Sequence, residues 1–199
     1  MDRKILWVGL GCFALIGLVS LTFFLLNSHP GFRGTVYEPA VHASEITLKQ
    51  ANGQEYRLSG QRGKIVLLFF GFTHCADFCP LTMGNLEQVF SQLGKNADKV
   101  QVVFISVDPD RDTPEITQQY ASQYNSSFLG LSGSLADLQK VWSDYGIYRE
   151  LGKPDASGNY EVIHSDRVLL IDQNGNLHLS YASDVIWQDM LHDIQILLK

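Results

Sequence analysis

Hydrophobic and polar positions alternate along this chain in blocks with different periods. The first block has no period at all: from Ile5 to Leu26 there is no charged residue. As a helix rising about 1.5 Å per residue it covers about 33 Å, enough to cross a hydrocarbon core of about 30 Å. A cleaved signal peptide has a shorter apolar region, about 7–15 residues, and a small-residue cleavage site. Asn27-Ser28-His29-Pro30 offers no such site, so residues 1–30 read as an uncleaved membrane anchor. Residues 31–44 show little periodicity and read as a tether.

The remaining residues, 45–199, read as a single folded domain. Ile46-Thr47-Leu48-Lys49 and Tyr56-Arg57-Leu58 flank Asn52-Gly53, a hairpin signal. Lys64 to Phe70 is a continuous apolar run of β-formers, the pattern of a strand buried on both faces. Leu86, Val89, Phe90 and Leu93 repeat at i, i+3, i+4, i+7, one face of a helix that Gly94 can end. Val100 to Val107 predicts a second buried strand. Thr113-Pro114-Glu115 has the cap, the proline and the carboxylate of a helix start. Ser134 with Asp137 resembles a capping box before Leu138, Val141 and Trp142, and Gly146 can close that helix. Val168 to Asp172 and Leu177 to Leu179 flank a second Asn-Gly turn at 174–175, and Asp184 is placed to cap a last helix ending near Leu198. Strands and helices in this order predict a mixed α/β sandwich of three layers. Tyr120, Tyr124, Trp142 and Trp187 sit at helical spacings and read as core.

Charge narrows the partners. The chain carries a net −6, but residues 1–30 hold only Asp2, Arg3 and Lys4, which leaves −7 for the rest. An acidic domain is poorly suited to a phosphate backbone, so nucleic acid is set aside. Arg3 and Lys4 before the apolar run favour a cytoplasmic N-terminus, with the domain on the far side of the membrane. Cys12 lies within the apolar run and reads as one of its small residues.

The domain has two cysteines, Cys75 and Cys79, where the buried strand turns into a helix. Thiols one helical turn apart share a side. Helix N-terminal amides favour thiolates and lower thiol pKa values. The pair can therefore close a disulfide or hold a soft metal. As a staple it would contribute little, because a five-residue loop has little closure entropy to remove. His74 is adjacent to Cys75 but is expected to point away from the side its neighbour faces. His29, His42, His178 and His192 show no ligand spacing.

Three segments together resemble a known family. Gly71 to Pro80 (GFTHCADFCP), Val107 to Glu115 (VDPDRDTPE) and Val162 to Gly175 (VIHSDRVLLIDQNG) are similar, in this order, to the Sco/SenC proteins. These are membrane-anchored, copper-binding assembly factors for cytochrome c oxidase. The resemblance covers residues 41–199 and implies a thioredoxin-like three-layer fold behind one N-terminal transmembrane helix. It carries a metal-ligand role onto Cys75, Cys79 and His164, with one copper ion, Cu(I) or Cu(II), per domain. It also implies a Cys75–Cys79 disulfide in the oxidised, metal-free state and a supporting place for Asp108. Ala76 departs from the family, which commonly has proline after the first cysteine. The donor chemistry agrees with copper: thiolates favour Cu(I), and an imidazole lets the site hold Cu(II). A Cys₂His zinc site is chemically allowed as well.

Two functions follow. The domain can be a metallochaperone for the CuA-bearing oxidase subunit, working alongside other periplasmic copper chaperones or thiol reductants. It can instead be a thiol–disulfide oxidoreductase in which Cys75 attacks and Cys79 resolves, keeping the subunit's cysteines reduced. A peroxidase is a weaker third reading. Thioredoxin-type oxidoreductases place a cis-proline before the strand facing their cysteines, yet no proline follows Pro154. A loop carrying His164 is expected to take that place. The location implied is a bacterial plasma membrane with the domain facing the periplasm, ahead of a mitochondrial inner membrane.

Overall fold

The computed structural model describes residues 31–199, together with Ile16, Gly17, Ser20 and Thr22, which are helical. The anchor expected over residues 5–26 otherwise lies outside the described residues. Among those described, no helix is long and apolar enough to cross a membrane. Phe32–Lys199 forms one compact unit. Its elements in chain order are β1 (Thr35–His42), β2 (Thr47–Lys49), β3 (Glu55–Arg57), β4 (Ile65–Gly71), α1 (Phe78–Gln92), β5 (Val100–Ser106) and α2 (Pro114–Tyr124). There follow β6 (Leu129–Leu131), α3 (Leu135–Asp144), β7 (Arg149–Leu151), β8 (Val162–His164), β9 (Val168–Ile171), β10 (Asn176–Tyr181) and α4 (Trp187–Leu197).

Six strands make the central sheet in the order β1-β10-β9-β4-β5-β6. β4, β5 and β6 run parallel, whereas β9 pairs antiparallel with β4, and β10 with β9. Every residue of β4 is buried, as an apolar run covered on both faces requires. Alternation along β4 assigns the faces. Gly71 backs onto Cys79 of α1 and, like Phe69, lies against Phe104 of β5, whose ring stacks on Tyr120 of α2. Phe70 points the other way, onto Tyr145 at the end of α3. Helices thus cover both sides, and α4 packs beside α1. This is the expected three-layer arrangement. Each fully buried Phe or Leu side chain contributes about 1.5–3 kcal/mol to it.

Local signals place most boundaries. Thr113 Oγ1 accepts from the Ile116 N–H at 3.3 Å, and Ser134 Oγ accepts from that of Asp137 at 3.2 Å. Gly94 and Gly146, with φ of +54° and +64°, end α1 and α3 in the left-handed conformation.

Three expectations need correction. Residues 35–42, inside the expected tether, form the edge strand β1 on β10. Nearly all its side chains are exposed, so only the backbone ladder holds it and no apolar alternation announces it. Asp184 does not cap the last helix, which starts at Trp187 with Ile186 in the cap position and no side-chain cap bond. His164 is carried on a short strand, β8, paired with β7 in a hairpin outside the central sheet.

Candidate metal centre

β4 delivers the chain to a turn at 72–77, and α1 begins at Phe78. Cys75 lies in that turn, where its N–H donates to the Phe72 carbonyl at 3.2 Å. Cys79 sits in the first turn of α1, fully buried against Gly71, and its N–H donates to Cys75 Sγ at 3.4 Å. Asp77, in the cap position, makes no side-chain cap bond. The Cys75 sulfur therefore accepts from an otherwise orphaned helix amide, in the place where a capping oxygen usually does. Both cysteines are free thiols, Cys75 half-buried and Cys79 buried. The lowered pKa expected of the pair is not found at Cys79. There burial outweighs every other influence and pushes the thiol well above its ordinary range.

His164 comes to the same place from 85 residues away, with Nε2 3.9 Å from Cys79 Sγ. Its Nδ1 lies 2.8 Å from the Ser165 carbonyl oxygen. A carbonyl only accepts, so Nδ1 carries the proton and the Nε2 lone pair faces the sulfur. Burial holds the imidazole pKa below its ordinary value, keeping the ring neutral. Phe72 stands edge-on to it, with centroids 5.7 Å apart.

The geometry suits a soft cation. An ion bonded at about 2.0–2.3 Å to sulfur and nitrogen spans a gap of the size between Cys79 and His164. Cys75 shares the groove with His164, bordered by Asp77, Phe78, Glu161, Ile163 and Asp166. Among the described residues, no group of three or more His, Cys, Asp or Glu side chains is drawn tightly enough to enclose an ion.

The other candidates take supporting positions. His74 is exposed, 3.1 Å from Thr73 Oγ1, with Asp112 3.9 Å beyond. Asp108 is fully buried at the end of β5 and accepts from Arg111 Nε at 2.5 Å and from Tyr160 OH at 2.8 Å. Asp112, four residues further on and also fully buried, builds the turn before Cys75. Its carboxylate accepts from the Thr73 N–H at 3.0 Å, Thr73 Oγ1 at 2.5 Å and Ser106 Oγ at 2.7 Å. An acidic residue shortly after a buried strand was the one available sign.

Residues 35–199 match the SCO1/SenC family. The chain belongs to that family. A Stutzerimonas stutzeri protein named for copper binding is 34% identical over 134 residues, 67% of this chain and 65% of its own length. The chain thus spans just under two thirds of that relative. The apo Sco1 structure from Thermus thermophilus superposes with a TM-score of 0.78 at 34% identity, covering 86% of this chain and 99% of that one. Bradyrhizobium japonicum ScoI, solved with copper bound, has a TM-score of 0.72 at 33% identity, covering 79% of this chain and 99% of its own. These SCO1/SenC likenesses reach across the thioredoxin-like body.

Proposed function

We propose that this SCO1/SenC protein binds one copper ion through Cys75, Cys79 and His164 and passes it to the CuA-bearing subunit of cytochrome c oxidase. The observation that carries this reading is the Cys79 Sγ–His164 Nε2 approach of 3.9 Å, with Nδ1 tied to Ser165 and Nε2 left as a donor. Two soft sulfurs and one imidazole form a donor set suited to both copper oxidation states. The half-exposed Cys75 is the ligand an incoming acceptor thiolate can displace first, so that cargo moves by ligand exchange without being released to water. In this reading residues 5–26 hold the domain on the periplasmic face of the plasma membrane. Sharing a surface with the acceptor raises effective concentration.

The thiol–disulfide reading has its own support. Cys75 is the more accessible sulfur and Cys79 is buried within reach behind it, the order that attack followed by resolution needs. His164 separates the two. Metal analysis, thiol titration and the Cu(II)–thiolate absorption of the detergent-solubilised full chain should give one copper per chain. His164→Ala should lose the absorption band while both thiols still titrate. An unchanged band and affinity in His164→Ala would remove the copper reading and leave exchange through the thiols.

A further inference from the structure

His164 is delivered by an arm and not by the central sheet. β7 and β8 pair only with each other, Arg149 with His164, Glu150 with Ile163 and Leu151 with Val162. Half of the six strand side chains face outward: Glu150, Leu151 and Ile163 are exposed. Little apolar burial therefore holds the hairpin down, Val162 being its one buried residue. What docks it are polar contacts onto the two residues that follow β5, Val107 and Asp108. From β7, Arg149 Nε donates to the Val107 carbonyl at 2.6 Å while its guanidinium lies over Trp142. From the approach to β8, Tyr160 OH donates to the buried Asp108 carboxylate at 2.8 Å. Arg111 completes the second contact: its guanidinium carbon lies 3.8 Å from the Tyr160 ring centroid and 5.8 Å from that of Phe72, and its Nε binds the other oxygen of Asp108. Phe72 is the ring against which His164 stands.

We propose that Tyr160 and Arg111 are positioning residues: the Tyr160–Asp108–Arg111 contact is a latch that holds the β7–β8 arm, and with it His164, over Cys79. This rests on the copper reading of His164 and adds how the third ligand is presented and withdrawn. With the latch closed, Nε2 faces the sulfur. With it open, the arm swings as a unit, because its ladder is internal, and the two thiols stay where β4 and α1 hold them. The device lets the site change from three donors to two without unfolding the domain.

Tyr160→Phe tests this, since it keeps the ring on Arg111 and removes only the hydroxyl. In the metal-free full chain, amide exchange of residues 149–151 and 162–164 should rise about tenfold, the effect of losing one hydrogen bond to a charged group. Exchange of 65–71 and 79–92 should stay as in the parent. In copper titrations Tyr160→Phe should weaken binding and blur the Cu(II)–thiolate band. Adding Tyr160→Phe to His164→Ala should then have no further effect, because the hydroxyl acts through the imidazole. Arg111→Lys, which keeps the charge and loses the planar stack, should act in the same direction. Unchanged exchange in the arm, or equal copper losses with and without His164, overturns the latch. Faster exchange in the arm, together with copper binding indifferent to His164→Ala in the parent, overturns the copper reading alone.

Discussion

Phe72 holds His164 edge-on, at 89° between ring planes, while its own carbonyl takes the Cys75 amide. One residue therefore sets the ring on one side of the groove and the turn on the other. Phe72→Leu keeps the carbonyl and removes the ring. It should cost about 0.5–1.5 kcal/mol of stability from the lost aromatic pairing. The copper affinity should fall several-fold as the imidazole gains rotational freedom. Urea unfolding and competition with a chromophoric chelator measure the two separately.

Gly71 is required at the back of Cys79. A Cβ there would stand 2.9 Å from Cys79 Sγ and 2.7 Å from the Phe104 ring. Both neighbours are fully buried and have little room to retreat. Gly71→Ala should therefore cost about 1–3 kcal/mol by overpacking and shift the metal–thiolate band as the sulfur is displaced. Retention of both the unfolding midpoint and the spectrum would show that the sulfur has slack here.

Asp112 gathers donors only: an N–H and two hydroxyls. Asn at this position would turn an NH₂ towards at least one of them. Asp112→Asn should lower stability by about 1–3 kcal/mol. It should also speed alkylation of Cys75, because the turn before it loses its anchor at Thr73. Denaturant titration and iodoacetamide rates check both.

Burial keeps the Cys79 thiol protonated at neutral pH, so a metal that binds its sulfur must expel that proton. Calorimetric titration with Cu(I) in buffers of different ionisation enthalpy should show at least one proton released per ion. The affinity should climb with pH across the neutral range. A binding enthalpy independent of the buffer would mean that the sulfur was already ionised.

His164 makes the metal-free protein sensitive to acid. Its pKa in the folded state lies below the ordinary 6.5, chiefly through burial. The unfolded chain therefore binds more protons than the folded one as pH falls. The stability this group contributes is complete above about pH 6.5 and is lost as pH drops through the lowered folded value. Unfolding midpoints between pH 8 and 5 should decline at the acid end, and His164→Gln should flatten that decline.

How much of this was written in the sequence depended on where the information lay. β4 was legible because burial on both faces leaves an unbroken apolar run. The starts of α2 and α3 were legible because Thr113 and Ser134 act within three residues of themselves. β1, β7 and β8 were not, since most β1 side chains face outward, β7 and β8 are three residues each, and their partners are chosen by backbone pairing at a distance. The same division holds at the site. Cys75 and Cys79 are visible as a spaced pair, and His164 became visible only through three motifs taken together. Tyr160 and Asp112 have no local pattern to betray them, because each pairs across a long stretch of chain, Tyr160 with the buried Asp108 and the buried Asp112 with Thr73.

The start of the folded body has a mechanical consequence. The amides of Arg33 and Gly34 both donate to the buried Asp193 carboxylate, at 3.0 and 2.9 Å, just before β1 joins the sheet. Residues that would otherwise have served as loose rope are spliced into the rigid part. A pull on residue 31 thus meets the Asp193 carboxylate and the β1–β10 ladder before it reaches the core. The folded body is thus anchored on itself from Arg33 onward, ahead of its first strand.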